Sequence, residues 1–252
     1  MTVPVTQTVE WISQCYSHGS EHEHVSLYLI RDGDDTILID SGSVYHRSEI
    51  TSSVDTATGG DGPDAIVLSH SDYPHAANVS PLGGGTDTVE LVASSGAPSQ
   101  QGLPDARKCT IGGQLEVRGR TLSFIDPPLA DRSHTTWIYD HGDGVLFTAD
   151  GFGNYHEPGQ CGYHSSDFAD MIPKERIHAY HRDNLVWLRY VDPDKIERTL
   201  NDIFGRFEIT AVAPIHGNPI MGEDLPKYRE RLYESMNRIA DEYEVTPSEK
   251  PE

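Results

Sequence analysis

The sequence predicts an α/β fold, and more specifically an αββα sandwich in which two β-sheets pack together with helices on the outside. Two observations carry this prediction. Short apolar runs of strand length alternate twice with segments of helical spacing, and each half of the chain also contains a β-meander. No linker rich in Pro, Ser and Gly divides the 252 residues, so we expect one domain spanning residues 1–252.

The first half of the chain is predicted to open with a β-hairpin. Residues 25–30 form an apolar run, the Asp-Gly-Asp-Asp stretch at 32–35 suits a turn, and residues 36–39 form the next apolar run. A short helix is expected at 48–56, and the wholly apolar Ala65–Leu68 suits a buried strand. The elements expected next are a helix at 75–82 and a strand at 89–93.

The second half is predicted to begin with short strands and to end in helices. Glycine-containing turns separate the strands, Pro193 suits the first turn of a helix, and the last helix is rich in paired charges. The elements expected here are turns at 112–114 and 118–120, strands at 122–125, 136–139, 145–148 and 209–212, and helical segments at 168–191, 193–204 and 225–243.

The chain is strongly acidic, with 40 Asp and Glu residues against 19 Lys and Arg residues and a formal net charge of -21. An acidic, lysine-poor surface is typical of a protein that stays soluble in high salt. Because the acidic excess runs along the whole chain, we favour a halophilic protein over an ordinary acidic cytosolic one. Such a surface repels nucleic acid and anionic membranes, so neither is expected as a partner.

The sequence lacks several features of membrane and secreted proteins, and this indicates the cellular compartment. No apolar run approaches the ~20 residues that a membrane span needs, and the first residues lack the basic and apolar regions of a secretion signal. Cys15, Cys109 and Cys161 are isolated and form no CxxC motif, so neither a disulfide framework nor a zinc knuckle is indicated. We expect each cysteine to be a small buried apolar residue, and the protein to be cytoplasmic.

Four segments of the sequence share one pattern, in which a short apolar strand leads to a residue that can bind a metal. Loops at strand ends are where a rigid scaffold positions functional groups. Imidazole and carboxylate ligands together suit zinc, iron or manganese. The candidate ligands are, in chain order, His70, Asp72, His75, Asp131, His134, Asp150 and His216.

These motifs resemble those of the metallo-β-lactamase-fold superfamily, over most of the chain. The hairpin ending in Asp40-Ser41-Gly42 resembles the opening hairpin and Asp-x-Gly turn of that family. The run from His70 to His75 resembles its metal signature, normally His-x-His/Glu-x-Asp-His. The acidic residue at position 72, the 147–153 segment around Asp150 and the 214–217 segment around His216 most resemble the di-iron domain of flavodiiron proteins and oxygen-binding di-iron proteins.

The resemblance implies a role for each candidate ligand. His70 and Asp72 would bind a first metal, His75 and His216 a second, and Asp150 would bridge the two. The implied cofactor is iron, as two ions or as one, with zinc or manganese as alternatives.

Two positions depart from the family pattern. Pro74 stands where an aspartate would complete the shell of the second metal. The middle ligand, normally a histidine, could be Asp131 or His134. Asp131 lies nineteen residues before Asp150 and fits the family spacing, whereas His134, sixteen residues before it, is the better ligand chemically. The sequence leaves both open.

The function implied is that of a non-haem di-iron protein that binds or reduces dioxygen or nitric oxide. We expect no flavodoxin-like domain in the chain, and therefore a separate flavin or electron-transfer donor, and a homodimer as in flavodiiron proteins. Whether the protein is an enzyme is left open, with an oxidoreductase favoured. The alternatives are a metal-dependent hydrolase of ester, thioester or phosphoester substrates and a non-catalytic member of the fold with a degenerate site.

Other residues are expected to lie mostly outside the site. His22 and His24, with Glu21 and Glu23, suggest a solvated loop before the first strand, with the alternative that this run overhangs the site and contributes a ligand. Tyr180, Trp187 and Tyr190 are expected in the core or at a subunit interface, because large aromatic side chains are usually buried.

Overall fold

Two β-sheets packed face to face form the centre of the structure, a computed structural model that describes residues 2–94, 103, 105–131 and 134–242. The strands of this described part, numbered in chain order, are β1 (Thr2–Pro4), β2 (Val9–Ile12), β3 (Cys15–His18), β4 (Glu21–His24), β5 (Leu27–Asp32), β6 (Asp35–Ile39), β7 (Ala65–Leu68), β8 (Glu90–Ser94), β9 (Arg107–Cys109), β10 (Gln114–Val117), β11 (Arg120–Ile125), β12 (Trp137–Asp140), β13 (Val145–Phe147), β14 (Ala211–Ala213) and β15 (Ile220–Met221).

The two sheets divide the chain into halves. The first has the order β1-β2-β5-β6-β7-β8-β9 and the second the order β10-β11-β12-β13-β14-β15, while β3 and β4 form a separate hairpin. In the first sheet β6, β7, β8 and β9 run parallel, and in the second β13 and β14 are the parallel pair. Parallel strands place their carboxyl ends at one edge, where ligands bind in open α/β sheets.

Helices cover the outer faces of both sheets. Their bounds are α1 (Arg47–Thr58), α2 (Tyr73–Ala76), α3 (Lys174–Asn184), α4 (Pro193–Arg206) and α5 (Leu225–Glu242). Short 3-10 turns also occur at Val44–His46, Ser165–Asp167, Val186–Tyr190 and Gly222–Asp224. Across the residues that the structure describes, we find no helix with the length and apolar character needed to cross a membrane.

Three apolar clusters hold these layers together. The cluster between the sheets includes Trp11, Tyr28 and Phe147. A second joins the outer face of the first sheet to α1, and a third joins the second sheet to α3, α4 and α5. Apolar burial is the dominant favourable term in folding. Here one apolar cluster lies between the two sheets and one lies outside each sheet, as in the αββα sandwich that the sequence predicts.

Several predicted elements match the structure and two are corrected. The strand Ala65–Leu68 and the helix that starts at Pro193 agree with the prediction. The helix predicted at 75–82 is wrong, because α2 ends at Ala76. The buried Asn78 side chain instead donates to the carbonyls of Ser41 and Ser43, at 2.9 and 3.0 Å. The expected solvated loop around residue 22 is also wrong, since these residues form β4.

The prediction for the cysteines is wrong for two of the three. Cys15 and Cys161 form a disulfide across 146 residues of sequence, a separation that gives no local motif. Cys109 is buried and free, as expected.

A buried ion pair links β11 to β12 and leads to a stability prediction. The Nε and Nη2 of Arg120 donate to the two carboxylate oxygens of Asp140 at 2.6 and 2.8 Å, and Asp140 is fully buried. We expect Arg120→Met to lower the free energy of unfolding by about 3–5 kcal/mol, because it leaves a buried carboxylate unpaired. Urea denaturation measures this change.

The matched control is Arg31→Met, which removes an arginine whose pair with Glu10 is partly exposed at 3.3 Å. Partly exposed pairs contribute little, so its effect should stay below about 1 kcal/mol. Equal losses in the two variants would contradict the assignment of a structural role to the Arg120 pair.

Candidate metal centre

The candidate ligands lie in loops at one edge of the sandwich, where β7, β13 and β14 end. Hydrogen bonds join the two halves of the chain around this edge. The N–H of Thr136 donates to Ser69 O at 2.8 Å, the N–H of Ser26 donates to Ile215 O at 3.0 Å, and the Tyr28 hydroxyl donates to Pro214 O at 2.7 Å. The two sheets therefore hold the loops in fixed positions relative to each other.

One group of possible ligands consists of His70, Asp72 and Asp131, which each place one ligand atom within 4.8 Å of the others. His70 Nε2 is 3.1 Å from Asp131 Oδ1. The N–H of Asp72 donates to His70 Nδ1 at 2.9 Å, which fixes the ring. His70 is buried, while both carboxylates are partly exposed.

A second group consists of His75, Asp150 and His216, all three buried. One oxygen of Asp150, Oδ1, lies 3.4 Å from His75 Nε2 and 3.5 Å from His216 Nε2. The two groups are neighbours, because the His70 and His75 ring centroids are 4.9 Å apart.

The charges in the second group shift its pKa values. Burial lowers the pKa of His75, but Asp40 and Asp150 on its two sides outweigh the burial and raise the pKa to about 10. Burial raises the pKa of Asp150, but His75 and His216 outweigh it and hold the pKa well below its usual range. In the metal-free protein His75 is therefore an imidazolium, and a metal that binds its Nε2 must displace a proton.

Asp40 holds His75 in orientation. It is fully buried at the end of β6, and its Oδ2 lies 2.9 Å from His75 Nδ1. The backbone N–H and the hydroxyl of Ser69 donate to the same carboxylate at 2.7 and 2.5 Å. A carboxylate on the far nitrogen of a histidine is the usual support of a metal ligand.

His216 is supported by the β3–β4 hairpin, which the sequence did not predict. His216 Nδ1 donates to His24 O at 2.8 Å and lies 3.4 Å from Glu23 Oε1. The Tyr16 hydroxyl donates to Glu23 Oε2 at 2.8 Å. Burial raises the pKa of Glu23, but His216 and Tyr16 outweigh it and lower the pKa. The Gly19-Ser20 dipeptide, a two-residue turn of the type that closes β-hairpins, is the signal that could have identified this strand pair.

A cavity of about 620 Å³ opens onto both groups. Tyr180 lies on its wall, and its hydroxyl donates to Asp150 O at 2.9 Å. Pro74 also lies on the wall, at the second position of α2 between Asp72 and His75. Tyr180 is thus buried as expected, although beside the site, whereas Tyr190 is 74% exposed.

The structure brings together six of the seven residues predicted from the sequence. His134 is exposed and belongs to neither group. Asp131 takes the middle position instead, beside His70. That these six residues bind metal stays a prediction.

Glycines beside the ligands permit close packing. A Cβ on Gly217 would lie 2.7 Å from Asn154 Oδ1, and one on Gly153 would lie 2.1 Å from the Tyr180 ring. Gly217 does not have a positive φ. The glycine after His216 is therefore required by the close approach of Asn154.

The chemistry of this donor set fits two metal ions. Asp150 Oδ2 is buried and has no hydrogen-bond partner among the described residues, while His70 Nε2 faces Asp131 Oδ1 at 3.1 Å. Buried polar atoms are normally satisfied, so an unpartnered carboxylate oxygen in a cluster of imidazoles suits a bound cation. Imidazole and carboxylate donors without sulfur suit iron, manganese or zinc.

Comparison with known proteins gives the family. The profile of the metallo-β-lactamase superfamily matches residues 22–200. The anaerobic nitric oxide reductase flavorubredoxin of Enterobacter sp. (strain 638) is 24% identical over 173 residues, which are 62% of this chain and 36% of that protein. The flavorubredoxin of Pectobacterium atrosepticum is 25% identical over the same length, 62% of this chain and 34% of that protein. This chain thus spans about a third of these relatives.

Solved structures share the fold. A mutant of the flavo di-iron protein from Thermotoga maritima aligns with a TM-score of 0.77 and 16% identity, covering 92% of this chain and 60% of that one. The flavodiiron protein from Giardia intestinalis aligns with a TM-score of 0.73 and 18% identity, covering 96% and 60%. Since the family profile covers well over half of the sequence and the fold agrees, the chain belongs to the metallo-β-lactamase superfamily.

Proposed function

We propose that this protein is a flavodiiron-type non-haem di-iron protein that binds or reduces dioxygen or nitric oxide. The observation that supports this most directly is the pair of neighbouring ligand groups that open into one cavity. Asp150 lies between His75 and His216 with its second oxygen unpartnered among the described residues, which suits a carboxylate that bridges two ions.

The ligands are distributed unequally between the two proposed ions. The first would have one histidine and two carboxylates, Asp72 and Asp131, and the second two histidines, with Asp150 shared. Relative to the family pattern, position 74 has lost a carboxylate and position 131 has gained one. The total carboxylate charge is therefore unchanged, and we infer that Asp131 compensates for Pro74.

The residues of the site have defined tasks in this function. Asp40 and Glu23 orient His75 and His216, and the Tyr180 hydroxyl fixes the backbone of Asp150. The cavity admits a small ligand beside both groups. When bound, two adjacent iron ions would supply the redox chemistry and joint binding of a diatomic molecule.

Reduction also needs an electron source. Conversion of dioxygen to two waters consumes four electrons and four protons, and conversion of two nitric oxide molecules to nitrous oxide and water consumes two of each. The ionisable side chains of the site can move protons but supply no electrons. A separate flavin or electron-transfer protein, and a homodimer as the assembled form, are part of the proposal.

The test is the metal content of protein purified without added metal, followed by exposure of the anaerobically reduced form to nitric oxide or to dioxygen. We expect about two ions per chain, mainly iron, and an absorption change with either gas. Zinc-loaded protein that responds to neither gas would overturn the proposal.

A matched pair of variants tests the middle ligand. Asp131→Ala should lose the first ion, because Asp131 lies against His70. His134→Ala should retain both, because His134 is exposed and outside both groups. The reverse pattern would show that the loop rearranges and that the histidine binds.

The two alternative functions predict different results for the same purified protein. A metal-dependent hydrolase would cleave generic ester or phosphodiester substrates with added zinc or manganese, through water acidified by the cation. A degenerate member of the fold would hold less than one ion per chain, and His70→Ala or His216→Ala would change little.

A further inference from the structure

The β3–β4 hairpin has a second polar face that the proposed di-metal chemistry does not use. Side chains alternate across a strand. Tyr16 and its partner Glu23 lie on the face that lines the metal cavity. Cys15, its partner His24, and His22 lie on the opposite face.

Two sulfurs and two imidazoles converge beside this opposite face. Cys15 Sγ, Cys161 Sγ and a ring nitrogen of His156 lie within 4.8 Å of one another. His22 Nδ1 is 3.8 Å from Cys15 Sγ. In this structure the sulfurs are joined, with the Cα atoms 6.2 Å apart. Four nitrogen and sulfur donors from three segments thus lie close together; we call them the Cys15 cluster.

His156 has the arrangement of a metal ligand. It is fully buried, its Nδ1 donates to Glu157 O at 2.8 Å, and its Nε2 has no hydrogen-bond partner among the described residues. A histidine that donates one N–H to a carbonyl and leaves the other nitrogen free is oriented as metal-binding histidines are. Backbone hydrogen bonds of 2.8 and 3.0 Å between His22 and His156 hold the two histidines side by side.

The donor set selects the kind of metal. Two thiolates with two imidazoles suit Zn²⁺ in tetrahedral geometry, whereas iron or manganese prefers sites with oxygen ligands. Cys15 and Cys161 are both partly exposed residues, so the pair lies near the surface, where a reductant and an ion approach.

We propose that the reduced protein binds one Zn²⁺ at Cys15, Cys161 and His156, with His22 as the fourth ligand, in place of the disulfide. The two states exclude each other, because disulfide sulfurs carry no charge and cannot act as thiolate ligands. Zn–S bonds of about 2.3 Å at a tetrahedral centre place the sulfurs roughly 3.7 Å apart. The two cysteine side chains therefore need to move apart only slightly to bind the ion.

Reduction of the disulfide to two thiols is balanced in atoms and electrons when a phosphine is the reductant. Two electrons from the phosphine break the S–S bond, water supplies two protons to the sulfurs, and the oxygen of that water leaves as phosphine oxide. Each thiol then gives its proton to the buffer when the metal binds.

The experiment uses the full chain, stripped of metal and kept either oxidised or reduced with a water-soluble phosphine. Each form is titrated with Co²⁺, which reports thiolate ligation through a sulfur-to-cobalt charge-transfer band. The reduced protein should develop this band as one equivalent of Co²⁺ binds at the Cys15 cluster. Replacement of that Co²⁺ by one equivalent of Zn²⁺ should abolish the band. The oxidised protein should show none. The six proposed di-metal ligands contain no sulfur and cannot produce the band, so the result does not depend on the proposed function.

Variants locate the ions. Cys161→Ser should lose the band, and His156→Ala should weaken Co²⁺ binding at least about 10-fold. The matched control Cys109→Ser removes the free, buried cysteine and should leave the band intact. A reduced wild-type protein without the band would overturn the proposal even if every variant misfolded, and so would a band lost in Cys109→Ser but kept in Cys161→Ser.

Discussion

Replacing Asp150 with asparagine is expected to lower the metal content from about two ions per chain to at most one. Turnover of dioxygen or nitric oxide should fall by more than about 100-fold, since loss of even an outer-shell partner of a metal site costs about 10–100-fold. Metal analysis of the purified variant and stopped-flow measurement with each gas give the two values.

The reason for this effect is the position of the carboxylate. Asp150 Oδ1 lies 3.4 Å from His75 Nε2 and 3.5 Å from His216 Nε2. Asparagine has nearly the same volume, so the cavity and the Tyr180 hydrogen bond to the Asp150 backbone are retained. The variant loses the negative charge and replaces one ligand oxygen with an N–H donor, so it cannot balance two cations.

The control for Asp150→Asn is Asp55→Asn, the same change on the exposed face of α1. It should keep both ions and full turnover. Urea denaturation of the metal-free proteins separates ligand loss from unfolding. If Asp150→Asn retains two ions at wild-type affinity, Asp150 does not bridge them.

Apolar strands were predictable because burial on both faces leaves a plain sequence pattern. The strand Ala65–Leu68 is four apolar residues between polar loops, and its predicted bounds match the structure. The inner and outer clusters follow from such runs, and therefore the sandwich was predictable as well.

The β3–β4 hairpin was not predictable by the same rule, because neither of its faces is apolar. The sequence of β4 is Glu-His-Glu-His. On one face of β4, Glu23 lines the cavity. On the other face, His22 belongs to the Cys15 cluster. A strand buried between two polar sites has no hydrophobic alternation, so it resembles a loop in sequence.

Sequence spacing also could not predict which residue of a loop faces the site. Asp131 and His134 are three residues apart, and the conformation of the loop decides which one faces His70. In the structure His134 has a positive φ of 75° and is exposed. No local pattern in the sequence specifies that backbone conformation for a histidine.

The second large effect is expected from restoring an aspartate at position 74. Pro74 lies on the cavity wall between Asp72 and His75. A carboxylate there would give the second ion an additional ligand, and ligand charge tunes the affinity of cation sites over several powers of ten. We expect Pro74→Asp to raise the affinity for the second ion at least about 10-fold, measured by anaerobic Fe²⁺ titration of the metal-free protein.

The local structure should accept this change. Pro74 occupies the second position of α2, where an acidic residue is favoured by the helix dipole. Pro193→Asp is the matched control, since Pro193 also lies in the first turn of a helix, at α4, and does not line the cavity. It should leave both binding steps unchanged, so that a rise in both variants would indicate a general charge effect.

The double variant Pro74→Asp/Asp131→His tests whether Asp131 compensates for Pro74. It returns a carboxylate to the second ion and a histidine to the first, and it keeps three carboxylates in the site as in the wild type. If the total charge governs binding, the double variant should bind two ions about as tightly overall as the wild type, while Asp131→His alone should bind them more weakly. A double variant that binds the two ions as weakly as Asp131→His alone would instead mean that a carboxylate at position 74 does not replace the one at position 131, and that Asp131 does not offset the loss at position 74.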